Sequence, residues 1–233
     1  MFNHETLSPA IVTAKIEKFY YHHKFLNKVY WNFVIFVVKS STPTLRSVRE
    51  LITHLNYTDM LTQKIQDALN AQVNAEIWSA YLYLSMSCHF ENEGYAGIAN
   101  WFKVQWKEEL DHAEIFMNYI NSRSGRVELK AIDAVPTQWD SILDAFKATL
   151  EHEQKVTAMI NNIYALAEAE NDYATRDRLN WFVSEQVEEE ESARAIIDKV
   201  KMVGDNGMGR YMIDQELGAR TYSTPSPLAT AAD

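Results

Sequence analysis

The chain has 233 residues, of which 47% are hydrophobic and 23% charged, a composition typical of a globular protein with one substantial core. Its formal net charge is −10, and residues 1–59 hold seven Lys/Arg against four Asp/Glu, so most of the acid lies in the remainder. This charge argues against a nucleic-acid partner and favours cations, although an acidic surface that only keeps the protein soluble is the simpler explanation of charge alone.

Cys88 is the one cysteine of the chain. An intramolecular disulfide is therefore impossible, and the Cys-x-x-Cys pairs of rubredoxin-like iron or zinc centres are missing. A single thiol fits a reducing compartment, so we expect a cytoplasmic location.

Residues 1–59 differ in character from the rest. They are rich in aromatic residues, contain no Gly, and include the ten-residue run VYWNFVIFVV at 29–38, which is apolar except for Asn32. A membrane-spanning helix needs about 20 residues, and no A-x-A cleavage motif follows the run. Because an amphipathic helical pattern begins directly after Met60, we predict that 1–59 is upstream translated sequence. A genuine targeting or docking extension is the alternative.

Four long segments then show inward-facing residues spaced three and four apart, as one face of a packed helix requires. The first segment runs over 65–91 and the second over 98–122. The third has this pattern from Trp139 to Ala167, and the fourth over 179–200, with a short turn predicted between them. No alternating strand pattern of comparable length is present.

Residues 122–138 lack a helical pattern and contain Gly125 and Pro136. At about 3.3 Å per residue this segment can reach roughly 50 Å, the length of a helix of about 30 residues. It can therefore return the chain to the far end of the bundle and leave the second and third helices parallel. The prediction is a four-helix bundle with one long crossover.

Three glycines follow the fourth helix, at Gly204, Gly207 and Gly209, and predict a break before a short helix over 211–217. The Thr/Pro/Ala-rich end of the chain, 222–233, has no periodic apolar pattern. We expect that end to be a flexible tail.

Acidic and amide residues interrupt the helical faces at one height. Glu76 and Glu109 are 33 residues apart, with their midpoint at the first predicted turn, and Glu153 and Gln186 have the same relation to the second predicted turn. In an antiparallel helical hairpin, residues equidistant from the turn lie side by side. All four helices therefore contribute polar groups to one layer of the core.

His112 and Glu189 come three residues after Glu109 and Gln186 and lie on the same helix faces. Buried carboxylates repel one another, and each unpaired charge costs several kcal/mol unless protons or cations compensate it. A hydrogen-bonded polar layer that sets helix register, or a lone Glu–His pair, is the structural alternative. Oxygen ligands with one imidazole suit iron or manganese, whereas the thiolates of a zinc site are missing.

The motifs resemble those of the non-haem bacterial ferritins, over Met60 to about Leu217. The resemblance implies an all-α, ferritin-like four-helix bundle at 60–221, with one long crossover and a short fifth C-terminal helix. Residues 1–59 have no counterpart in that family. The matching runs are NAE at 74–76, KEELDH at 107–112, HEQ at 152–154, SEQVEEE at 184–190 and GRYMIDQEL at 209–217.

The resemblance also implies a diiron centre. Glu76, Glu109 and His112 would hold one iron, and Glu109, as a bridge, would hold a second together with Glu153 and Glu189. Gln186 would lie beside them, as a hydrogen-bonding neighbour more than a metal contact.

Four further positions match the family. Glu108, Glu185 and Glu188 correspond to a third, weaker iron position, for which a solvated run of glutamates is the alternative. Tyr83 corresponds to a tyrosine near the diiron centre, and a core aromatic with a satisfied hydroxyl explains it equally well.

Departures from related families narrow the resemblance. Bacterioferritins carry Glu-x-x-His on two helices, whereas the fourth helix here has Gln186-x-x-Glu189, so haem is not expected. Rubrerythrin-like proteins need an additional Cys-rich iron domain. The miniature ferritins that protect DNA lack the fifth helix.

The implied function is iron storage with ferroxidase activity. Fe(II) would be oxidised to Fe(III) by O₂ or H₂O₂ and deposited as hydrated ferric oxide inside a cage of 24 identical subunits, with no nucleic-acid or membrane partner. Two other classes stay open: a diiron oxidase or oxygenase that acts on an organic substrate, and a helical scaffold that binds no iron.

Overall fold

A computed structural model of the chain describes residues 61–229. That part contains five helices and no strand, which confirms the all-α prediction. None of these helices combines the length and the apolar character needed to cross a bilayer. The prediction for 1–59 falls on residues outside the described range. The helices are α1 Gln63–Asn92, α2 Ala96–Ser122, α3 Ile142–Ala169, α4 Tyr173–Val203 and α5 Gly207–Gly218.

The predicted inward faces of α1 to α4 are buried. Their apolar residues form two clusters, one on each side of the polar layer. One cluster contains Phe90, Phe102 and Phe146, and the other contains Phe116 and Phe182, whose rings stack 4.0 Å apart. The polar layer therefore lies in the middle of the bundle, shielded by apolar packing at both ends.

The third helix begins later than its periodicity predicts. Ser141 is extended, with φ −160° and ψ 165°, and its hydroxyl accepts a hydrogen bond from the backbone N–H of Asp144 at 3.1 Å. This N-cap starts α3 at Ile142. The prediction that Trp139 belongs to the helix was wrong, and its ring instead lies 5.3 Å from that of His89.

The crossover follows α1 along its length. Near the start of α1, the side-chain oxygen of Gln66 accepts a hydrogen bond from the N–H of Arg126 at 2.9 Å. Near its end, the Ser85 hydroxyl donates to the carbonyl of Pro136 at 2.7 Å. The crossover thus carries the chain from one end of the bundle to the other, so α2 and α3 run parallel, as predicted.

The break after α4 is shorter than predicted. Gly204 ends α4 with φ +53°, a conformation that glycine adopts without steric cost. Gly207 and Gly209 were expected to lie in the break, but both belong to α5. The helix starts early because the Asn206 side chain accepts a hydrogen bond from the N–H of Gly209 at 2.9 Å and caps it.

An aspartate of α5 anchors this helix to the beginning of α2. Asp214 is buried, and its Oδ1 accepts hydrogen bonds from the N–H groups of Gly97 at 2.8 Å and Ile98 at 2.9 Å. The Tyr95 side chain makes no capping bond, so Asp214 satisfies the free donors of α2 from another helix. A Cβ at Gly97 would lie 1.7 Å from the Asp214 carbonyl oxygen, so only glycine allows this approach.

Replacing Asp214 with Ala should loosen α5. The variant leaves two buried N–H groups without an acceptor, a loss of about 1–3 kcal/mol in stability, and amide hydrogens of α5 and of the first turn of α2 should exchange faster. Hydrogen-exchange mass spectrometry of the full chain measures this. Asp205→Ala is the control, since Asp205 is exposed and pairs with Arg210; equal exchange in both variants would contradict the anchoring role.

The chain end lies against the bundle as far as the structure describes it. The Tyr222 hydroxyl donates to Asp111 Oδ2 at 2.6 Å, and Leu228 packs beside the cluster of Phe116 and Phe182. Sequence composition predicted a flexible tail from residue 222. Its described part, 222–229, contacts α2.

Candidate metal centre

Four helices carry polar side chains into the middle layer of the core. None of the six predicted residues is more than 6% exposed, and Tyr83 beside them is fully buried. The layer thus assembles as the sequence spacing predicted. The six are Glu76 on α1, Glu109 and His112 on α2, Glu153 on α3, and Gln186 and Glu189 on α4.

Three of these residues form a compact group. Glu76, Glu109 and His112 each offer one ligand atom, and the three atoms lie within 4.8 Å of one another. His112 Nδ1 is 3.4 Å from Glu109 Oε2. Glu76 Oε2 and Glu109 Oε2 are buried without a hydrogen-bond partner among the described residues. Unpartnered carboxylate oxygens next to an imidazole fit a cation.

Glu153 is held by hydrogen bonds from two neighbours. The Tyr83 hydroxyl donates to its Oε1. The Gln186 side-chain nitrogen donates to its Oε2 at 3.1 Å and to its backbone carbonyl at 3.3 Å, and approaches the Thr157 hydroxyl at 3.4 Å. These bonds orient the Glu153 carboxylate within the layer.

Two glutamines complete the layer, and sequence reasoning gave neither a role in the site. Gln72 donates to Glu76 Oε1 at 2.9 Å, and Gln105 donates to Glu189 Oε2 at 2.8 Å. A signal was present, because each glutamine precedes a layer glutamate of its own helix by four residues, one helical turn. That spacing predicts a bond for Gln72, whereas the partner of Gln105 lies on another helix.

Burial shapes the ionisation of the layer. It raises the pKa of Glu76 and of Glu109 well above the ordinary value, and neighbouring carboxylates add to the effect. Burial, followed by the charge of Glu153, raises the pKa of Glu189 to about 8 and that of Tyr83 well above its usual range. Without a cation the layer therefore retains protons near neutral pH, and a cation that binds displaces them.

The metal-free protein should lose stability as pH rises. The Glu189 pKa is 4.5 ordinarily and about 8 in the folded chain, so protonation stabilises the fold fully below about pH 4.5, and this contribution disappears as pH rises through 8. We expect the thermal midpoint of chelator-treated protein to fall between about pH 5 and pH 8.5. Added Zn²⁺ should restore it most at the higher pH.

Glu189→Gln should flatten this fall, because the amide cannot ionise. Glu151→Gln is the control, since Glu151 lies on the exposed face of α3 and pairs with Lys155. A Glu189→Gln midpoint with the wild-type dependence on pH would count against the raised pKa.

The three residues predicted for a weaker metal position lie around one cavity of about 280 Å³. Glu108, Glu185 and Glu188 line it, next to the centre, and burial raises the pKa of Glu108 and Glu185. The Arg220 guanidinium also lines this cavity and donates to Glu108 Oε2 at 2.6 Å. Nothing in the sequence pattern pointed to Arg220.

Known proteins with similar sequences show the family to which this bundle belongs. The ferritin-like domain family matches residues 66–203. The chain belongs to this family. The bacterial non-heme ferritin of Bacteroides fragilis is 46% identical over 161 residues, covering 69% of this chain and 100% of the relative. That of Staphylococcus aureus is 40% identical over 163 residues, covering 70% and 98%.

Solved ferritin structures share the fold. An engineered closed form of the Archaeoglobus fulgidus ferritin has a TM-score of 0.69 and 44% identity, covering 70% of this chain and 99% of that one. The open-pore ferritin of the same archaeon has a TM-score of 0.69 and 45% identity, covering 69% and 99%. The predicted resemblance and fold class are confirmed.

Proposed function

We propose that this protein is a ferroxidase that stores iron. The observation that carries the proposal is the buried group of Glu76, Glu109 and His112, with two unpartnered carboxylate oxygens, in a ferritin-like bundle. Relatives at 40–46% identity that are named bacterial non-heme ferritins support it.

Iron is the substrate of the proposed diiron centre. Glu76, Glu109 and His112 bind one ferrous ion. Glu109 also binds the second ferrous ion, together with Glu153 and Glu189. Tyr83 and Gln186 orient Glu153. The side-chain nitrogen of Gln186 already donates to Glu153, so the main role of Gln186 is to position that carboxylate. The amide oxygen of Gln186 is a further candidate metal ligand.

Glu108, Glu185 and Glu188 form a third, weaker iron position in the cavity beside the centre. The lower affinity follows from their surroundings: this cavity contains the guanidinium of Arg220, whereas the central layer contains no Lys or Arg side chain among the described residues. Iron that leaves the centre can move into this cavity.

The reaction is a pair of one-electron oxidations. Two ferrous ions each lose an electron, and O₂ takes both electrons with two protons to give H₂O₂. When H₂O₂ is the oxidant, it takes two electrons and two protons and becomes water. Hard carboxylate oxygens favour Fe(III) over Fe(II), which makes the oxidation easier, and the single neutral imidazole limits the negative charge of the site.

The product needs a compartment, and we propose a homo-oligomeric cage of 24 subunits for it. Support comes from α5, which leaves the apolar side chains of Met208, Tyr211 and Met212 more than half exposed. Contact with other copies of the chain would cover them. Hydrated ferric oxide accumulates in the enclosed space.

Haem has no role in this proposal, because Gln186-x-x-Glu189 replaces the second Glu-x-x-His of bacterioferritins. The acidic charge favours ferrous ions over nucleic acid as partners. A cytoplasmic location, and a native start at Met60, stay predictions from the sequence.

Glu109→Ala combined with Glu153→Ala should abolish fast oxidation of added Fe²⁺ under air. Because two metal ligands are lost, the oxidation rate should fall by more than the roughly 10–100-fold that loss of an outer-shell partner costs. Near-ultraviolet absorbance follows ferric product. Glu151→Ala, exposed on the same helix as Glu153, should oxidise iron at the wild-type rate. Fast oxidation by the double variant would refute the site assignment.

The same experiment separates the rival functions. A ferritin accumulates ferric oxide in proportion to the excess Fe²⁺ added, whereas an oxidase for an organic substrate turns over without mineral. A scaffold binds no ferrous iron and consumes no O₂.

Size-exclusion chromatography of the full chain and of a chain that begins at Met60 tests assembly. We expect the shorter chain to elute as a large oligomer, because α1 to α5 are complete in it. The bulky aromatic residues of 1–59 are expected to hinder assembly of the full chain. Monomers from both chains would contradict the cage.

A further inference from the structure

The chain end forms a strap over the acidic cavity. This strap, residues 219–229, follows α2 from its beginning to its end. Asn100 near the start of α2 donates to the backbone carbonyl of Arg220 at 2.9 Å, and Tyr222 binds Asp111 in the middle. Leu228 reaches the region of Ser122 at the end. Residues 223–226 of the strap line the cavity.

The strap brings one cation into the cavity. Arg220 is the only Lys or Arg among the described residues that line it, and its Nη2 lies 2.6 Å from Glu108 Oε2. The guanidinium carbon sits 4.7 Å from the centre of the Trp101 ring, a cation–π contact that fixes its position. Its Nη1 is buried without a hydrogen-bond partner among the described residues, so the guanidinium is only partly satisfied there.

We propose that Arg220 is the built-in counter-ion of this cavity and competes with metal ions for Glu108. A guanidinium stays charged at every accessible pH, so it neutralises Glu108 whenever no metal is bound. A metal ion that uses all three carboxylates must displace it. That the displacing ion is iron rests on the proposed function.

Competition of this kind sets an order of binding. The central layer holds no Lys or Arg side chain among the described residues, so a metal ion that enters it displaces no tethered cation. The cavity must give up the ion pair of Arg220 with Glu108. Metal therefore fills the centre before the cavity, and Arg220 returns to Glu108 when the cavity empties.

Calorimetric titration of the metal-free full chain with Zn²⁺ tests the proposal without iron chemistry. Arg220→Gln should tighten the weaker class of Zn²⁺ sites about tenfold, which is about 1.4 kcal/mol, and leave the tight class unchanged. Arg220→Lys keeps the positive charge and should bind Zn²⁺ much as the wild type does. Arg210→Gln is the matched control, because it removes an equal charge that pairs with Asp205 away from the cavity.

A double variant locates the effect. Glu108→Gln with Arg220→Gln should lose the tenfold gain, since the carboxylate that Arg220 releases is gone. Unchanged weak-class affinity in Arg220→Gln, the absence of a weak class in every variant, or an equal gain in Arg210→Gln would overturn the proposal. Iron oxidation is a separate readout: its absence in the wild type rejects the ferroxidase but leaves the Zn²⁺ comparison valid.

Discussion

Burial of several carboxylates in the middle of the bundle is the constraint on which this structure depends. Water no longer solvates the carboxylates of Glu76, Glu109 and Glu189, so either protons or cations must neutralise them. Burial raises the pKa of Glu189 to about 8 because it disfavours the charged carboxylate. Apolar clusters on both sides of the layer supply stability that the layer itself does not. In such a core, metal binding and folding stability are linked.

Hydrogen bonds around the layer are distributed so that they orient the carboxylates without satisfying them completely. Gln72 occupies one oxygen of Glu76 and leaves the other buried and without a partner. Glu153 is turned by Tyr83 from α1 and by Gln186 from α4, so three helices fix one side chain. Preorganisation of this kind presents oxygen donors to a cation without rearrangement of the helices. It also gives Gln186 a positional role that a count of ligands alone would miss.

The end of the chain connects the helical scaffold to this chemistry. Asp214 ties α5 to the first turn of α2 through two backbone N–H groups, and the strap that follows runs along the same helix. Since α2 carries Glu108, Glu109 and His112, it bears two of the three residues of the central group and part of the acidic cavity. The strap places the positive charge of Arg220 beside Glu108 in the cavity, and the central group has no Lys or Arg side chain beside it in the described layer. The helix α2 thus contacts the bundle core on one side and the strap on the other.

The sequence by itself determined the four helices, their inward faces, the single crossover and the height of the polar layer. It could do so because helical periodicity and equal distances from a turn are local properties, as the pair of Glu76 and Glu109 shows. Tertiary structure decided the partner of Gln105, the anchoring of α5 by Asp214 and the ion pair of Arg220 with Glu108. Each of these contacts joins residues more than 80 positions apart in the sequence. No sequence periodicity relates the two elements that meet. Such contacts depend on where the chain is placed in three dimensions, and only packing sets that.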